Sequence, residues 1–152
     1  MKFLVDPEDP RTPGERQFQL EGWIDSAPFE QFIGLKIADA VEGRAVLTLP
    51  FTVKLANGGG VMHGGAMTTL ADTAVAMAIK SRLPQGTNFA TTELKMEFLA
   101  PVRQGIVTAK ATIRGPEGRT FYGDCELLGE DDTLYARFHS VFRVARGQGF
   151  ED

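Results

Sequence analysis

One cysteine, Cys125, stands in 152 residues. A single thiol excludes an intrachain disulfide framework and fits a reducing compartment. The C-x-x-C and Cys/His patterns of a zinc site are missing too, so no metal ligand set is predicted. No run of side chains approaches the ~20 apolar residues of a membrane helix. The N-terminal stretch "MKFLVDPEDPRTPGE" holds acids and prolines where a signal peptide needs an apolar core. A basic excess is also lacking: 16 Lys and Arg face 20 Asp and Glu, for a net charge of -4. That balance argues against nucleic acid as a partner. It leaves room for a small anionic ligand held by a few local cations. There are no internal repeats, no low-complexity tracts and no G-x-S-x-G nucleophile elbow. The expectation is a cytoplasmic, single-domain protein without membrane or nucleic-acid partners. At 43% hydrophobic residues, its chain is long enough for a sizeable core.

What is present divides the chain into an arm over 1–27, a main domain over 28–146 and a short tail over 147–152. Pro7, Pro10 and Pro13 mark the arm. Phe18, Leu20, Trp23 and Ile24 predict a short amphipathic helix over 14–27. "PFEQFIGLKI" leads into a first strand region, and "GRAVLTLP" alternates as a strand ended by proline. "FTVKLANGGGVMHGG" reads as a loop. A long helix is predicted over 65–82. Ala66, Leu70, Ala74 and Ala78 form one row, and Met67, Ala71, Val75 and Ile79 form the next. This band is too wide for a helix on a wet surface, and its small residues invite close approach by another element.

"TNFATTELKMEFLAP" alternates as a strand. Ala90, Leu94, Met96 and Phe98 are predicted on one face, with Thr91, Glu93, Lys95 and Glu97 on the other. Three more strands follow: "GIVTAKATIRG", "RTFYGDCELLG" and "TLYARFHSVFRVAR". The first pair is joined by a turn at "GPEG" (115–118), the second by "EDD". Short turns make antiparallel neighbours. The predicted architecture is α+β, a curled antiparallel sheet wrapped around one long central helix. Such a sheet keeps an edge strand that a second copy would protect.

Two stretches carry a resemblance, "NGGGVMHGGAMTTLADTAVA" and "TTELKMEFLAPVRQG". With the order of elements, they resemble the hotdog-fold thioesterases of the phenylacetate-degradation (PaaI-like) acyl-CoA thioesterase family, over about 28–144. The resemblance implies hydrolysis of an acyl-CoA to a free acid and CoA, at sites shared across a dimer interface. It implies a homo-oligomer, a dimer at minimum and a tetramer by family habit. No cofactor is implied, CoA being part of the substrate.

Asp72 is the only acid over 65–82. Aspartate is a poor interior helix residue, and in a partly apolar cleft its pKa rises, which suits a base. The resemblance makes it general base or nucleophile; otherwise it is a solvated helix-surface acid. Gly65, with help from Gly64, sits where a helix start offers unpaired N–H groups to a developing oxyanion; the other reading is a loop needing glycine. Gly65 and Asp72 are about 10 Å apart along the helix, so one carbonyl needs the Gly of one copy and the Asp of another. Asn57 and Thr91 match positions that orient water or thioester, against a turn Asn and a strand-favouring Thr. His63 is read as bracing the loop, not as a base. His139 reads as a solvated strand residue and Cys125 as a small core side chain. Arg119, Arg82, Arg103 and Arg146 are candidate phosphate contacts, or ordinary solvated charges. Met67, Phe89 and Phe98 are candidates for the acyl pocket, or plain core. Two rival functions keep the fold: a non-catalytic acyl-CoA-binding module, and an enoyl-thioester hydratase or dehydratase.

Overall fold

A computed structural model describes residues 1–11 and 16–152. Strands β1 (Lys2–Phe3) and β2 (Phe18–Gln19) pair as a small antiparallel hairpin in the arm. The helix predicted over 14–27 is not formed in its described part, 16–27; residues 14 and 15 lie outside the described residues. The reason is local. The Asp25 carboxylate accepts from the backbone N–H of Glu21 at 2.9 Å and of Ser26 at 2.7 Å, a turn that competes with a helix. The first helix, α1, is instead Pro28–Ile33. Proline opens it where a missing N–H costs nothing, and Gly34, at φ 87°, closes it in the left-handed region.

The main sheet has six strands. They are β3 (Lys36–Val41), β4 (Arg44–Pro50), β5 (Phe89–Phe98), β6 (Ile106–Glu117), β7 (Thr120–Leu128) and β8 (Leu134–Val144). The order across the sheet is β3-β4-β6-β7-β8-β5, antiparallel throughout. The reversal between β6 and β7 falls at Gly118 and Arg119, with Glu117 opposite Thr120, so only the end of the expected 115–118 turn takes part; Gly115 and Pro116 form an irregularity within β6. β5 pairs with β8 on one side only and is an edge.

Helix α2 (Gly64–Lys80) crosses one face of this curled sheet. Leu70, Ala71, Ala74, Val75, Ala78 and Ile79 are fully buried against Leu47, Leu49, Val107, Ala109, Leu127 and Phe138. Small residues set the distance. At Gly123 on β7 a Cβ would stand 2.2 Å from Val75 Cγ1, so only glycine fits where helix and sheet come closest. No helix among the described residues is long and apolar enough to cross a membrane.

Candidate active site

The loop before α2 is tied down on three sides. His63 N–H donates to the Leu55 carbonyl at 2.7 Å, Met62 N–H to the Val102 carbonyl at 2.9 Å, and Asn57 N–H to the Val61 carbonyl at 2.8 Å. The His63 ring then turns back onto the helix: its Nδ1 accepts the Gly65 N–H at 2.8 Å. It is the N-cap of α2, a part usually taken by Ser, Thr, Asp or Asn. The expectation of Gly65 as chief oxyanion donor is corrected by this bond, because an N–H already aimed at an imidazole nitrogen is not aimed into a cleft. The Gly64 N–H has no partner among the described residues. Gly64 also lines the neighbouring pocket, and Gly65 does not.

That pocket, of about 390 Å³, is lined by Asn57, Val61, Met62, Gly64, Met67 and Phe98, with Leu99, Ala100 and Pro101. A Cβ on Gly64 would meet the Phe98 ring at 3.1 Å, so glycine keeps the helix start open beside an apolar wall. Asn57 does two things. Its Oδ1 accepts from Gly59 N–H at 2.8 Å and Val61 N–H at 3.4 Å, the turn role, while its Nδ2 has no partner among the described residues.

Asp72 lies two turns further along α2 and opens into a second cleft, of about 500 Å³. Thr91 Oγ1 donates to Asp72 Oδ1 at 2.7 Å. Burial pushes the Asp72 carboxyl above its ordinary value, against the lowering pull of the Thr91 hydroxyl. No cation pairs with it among the described residues. The alternation that put Thr91 on the outer face with Glu93 fails at one residue. Thr91 is opposite Phe142 and Glu93 opposite Val141, so Thr92 is an extra residue, a β-bulge. The bulge swaps faces, and Thr91 and Phe89 join Leu94, Met96 and Phe98 on the helix side, while Ala90 moves to the outside opposite Arg143. Phe89 therefore lines the Asp72 cleft, while Met67 and Phe98 line the Gly64 pocket; the three candidate acyl-pocket residues are divided between two sites.

The arginines separate further. Arg119 is corrected as a phosphate contact: it is 8% exposed, ion-paired to Asp152 and donates to the Val144 carbonyl at 2.8 Å. Arg146 faces the same Asp152 carboxylate at 3.6 Å. Arg82 lies under the β3–β4 turn, its Nη2 donating to the Glu42 carbonyl at 3.2 Å, far along the helix from Gly64. Arg103 follows Val102, whose carbonyl anchors the Met62 loop, and is exposed. Of the candidates it alone stands near the helix start. His139 is exposed on the outer face, its Nδ1 2.6 Å from Asp124 Oδ1, and Cys125 is buried with its thiol pushed up to about 12. Sequence reasoning missed Trp23, Glu30 and Lys80, which share the Asp72 cleft. Lys80 was findable, eight residues after Asp72 on the same helix.

A sheet curled around one buried helix, with a carboxylate half-buried on that helix, marks a hotdog-fold thioester hydrolase. The thioesterase superfamily model matches residues 59–136, from the loop glycines to the last strand. Acyl-coenzyme A thioesterase PaaI of Escherichia coli is 34% identical over 107 residues, covering 70% of this chain and 74% of that one. A putative esterase of Halobacterium salinarum is 33% identical over 100 residues, covering 62% of this chain and 66% of its own length. Among solved structures, a conserved protein of Pseudomonas aeruginosa superposes with a TM-score of 0.76 at 28% identity, covering 79% of this chain and 95% of that one. The chain belongs to the thioesterase superfamily and is a PaaI-like hotdog member of it.

Proposed function

We propose that the protein is a cytoplasmic acyl-CoA thioesterase whose base is Asp72. The observation that carries this reading is the carboxylate itself. It is half-buried and unpaired by any cation among the described residues, its pKa is raised, and a hydroxyl holds one of its oxygens in place. Water attacks the thioester carbonyl carbon and gives its proton to Asp72. The C–S bond then breaks, and the CoA thiolate takes the proton up. Charge developing on the carbonyl oxygen is met by the free Gly64 N–H and the positive end of α2, with Asn57 Nδ2 as a second donor. Gly65 joins only when the His63 ring releases its N–H. Thr91 positions Asp72 or the attacking water. Direct attack by Asp72 differs in one readout: isotope from labelled water enters the aspartate after a single turnover.

Gly64 and Asp72 are about 12 Å apart along the helix axis, too far for one carbonyl. The active unit is therefore at least a dimer, with Gly64 of one copy facing Asp72 of the other; the family resemblance carries this on to a tetramer. Support comes from edge strand β5, whose helix-side Leu94 and Phe98 are 47% and 55% exposed, Phe98 lining the Gly64 pocket.

The test is thiol release from a panel of aromatic and aliphatic acyl-CoAs. Asp72→Asn loses about 10²-fold or more. Gly64→Pro removes the N–H at a first helical position and loses about 10²-fold relative to Gly64→Ala, which sets the same Cβ beside Phe98 but keeps the N–H. Residue 63, at φ -58° and ψ 133°, already has the backbone that precedes a proline. Equal rates in wild type and Asp72→Asn would end the proposal.

A further inference from the structure

The Asp72 cleft does not end in apolar side chains. Its far wall holds Lys80, one helical face along from Asp72, with Trp23 and Glu30 from the arm and α1. Lys80 has a structural duty. Its Nζ donates to the Trp23 carbonyl at 3.1 Å and lies 4.6 Å over the indole ring, while Trp23 Nε1 donates to the Lys80 carbonyl at 2.9 Å. That clasp fastens the arm to the end of α2. It uses one of the three ammonium donors. Burial pulls the Lys80 pKa down, and the charges of Glu30 and Asp25 push it back up. Neither acid makes an ion pair with it. Asp25 is occupied by the N–H groups of Glu21 and Ser26. A half-buried ammonium with unspent donors therefore faces the cavity that holds the catalytic carboxylate.

Resting on the acyl-CoA thioesterase reading, we infer that Lys80 selects acyl groups ending in a carboxylate. With the thioester carbonyl at Asp72, the acyl chain runs parallel to α2 between Ala76 and Met77 on one side and Phe89 and Phe142 on the other. Its ω-carboxylate reaches Lys80 about 12 Å along the helix axis, the reach of a medium-length dicarboxylic chain. The bond between the ω-carboxylate and the ammonium is charge-assisted, which makes it stronger than a neutral hydrogen bond. Glu30 in the same wall adds discrimination, since an ω-carboxylate is tolerated only when it is drawn to the ammonium.

Binding is measured apart from catalysis, by calorimetry, with two unhydrolysable CoA thioethers of equal length, long enough to span from Asp72 to Lys80: the decyl thioether and its ω-carboxyl counterpart. Wild type is expected to bind the ω-carboxyl form about tenfold more tightly. Lys80→Met loses that preference and keeps its decyl affinity, and Lys80→Arg retains the preference. A merely structural role for Lys80 would leave the ratio unmoved. If Lys80→Met does not fold, the wild-type ratio and Lys80→Arg decide. Equal or weaker binding of the ω-carboxyl form by wild type overturns the inference. So does a Lys80→Met variant that binds both thioethers and free CoA more weakly by the same factor, because Lys80 would then be holding CoA phosphate. Hydrolysis of decanoyl-CoA and sebacyl-CoA is followed in parallel. If neither is cleaved while the tenfold preference stands, the thioesterase reading falls and the ligand assignment holds.

Discussion

Burial of the Asp72 carboxylate costs the fold stability. Its folded pKa is raised, so the folded state holds the proton more strongly than the unfolded chain. The stability penalty is absent below the unfolded value of 3.8 and fully present above the folded pKa. Asp72→Asn is therefore expected to melt at a higher temperature than wild type at neutral pH, with the difference closing as the pH falls through the raised pKa. Thermal melts across pH check this. With Asp72 as the proposed base, activity is expected to run the other way: kcat/KM should rise with pH as the carboxylate loses its proton, with the acid limb above 3.8. Thr91→Val removes the hydroxyl whose bond lowers this pKa, so its limb is expected to shift to higher pH and its rate to fall about tenfold. A limb at the ordinary aspartate position, unmoved in Thr91→Val, would show that the titrating group is another residue. The same scale explains the glycine pair. His63 caps the helix by consuming the Gly65 N–H, and the consequence is that the preceding N–H, at Gly64, is the one left free.

At the scale of the element, α2 and the sheet are held apart by the smallest side chain available. Gly123→Ala places a methyl 2.2 Å from Val75 Cγ1 and 2.9 Å from Ser140 Oγ. It is expected to cost about 1–3 kcal/mol and to lower Tm by about 2–10 °C. Adding Val75→Ala should restore part of the loss, and melting curves of the single and double variants decide it. Elements built on strong periodicity were legible in the sequence. The rows of Ala66–Ala78 and Met67–Ile79 predicted α2, and the short turns between the segments that form β6, β7 and β8 predicted three neighbouring antiparallel strands. Two features were not legible. Phe18, Leu20, Trp23 and Ile24 mimic a helical stripe, but Asp25 satisfies backbone N–H groups locally and Pro28 starts the helix later. The Thr92 bulge leaves no mark in composition, since threonine suits a strand on either face. It alone moves Thr91 to Asp72, so the candidate site was readable by residue but not by side of the sheet.

For the whole molecule, the prediction concerns ownership of the site. Gly64→Pro and Asp72→Asn each destroy every site of a homodimer. Mixing the two after reversible dissociation produces heterodimers with one intact site each, so about a quarter of wild-type activity should return. Recovery near zero would place both residues in one chain's own site. Dilution below the dimer's dissociation constant should abolish turnover without unfolding the protomer. The cleft is also assembled from segments of unlike origin. Asp72 and Lys80 come from the central helix, while Trp23 and Glu30 come from the arm and the first short helix. In the proposed reading the carboxylate and the ammonium that reads the acyl end both belong to the buried helix, and only the outer wall of the cleft is lent by segments packed on from outside. Changes at Trp23 or Glu30 would then reshape that wall, and with it the setting of Lys80, without touching the helix that carries Asp72.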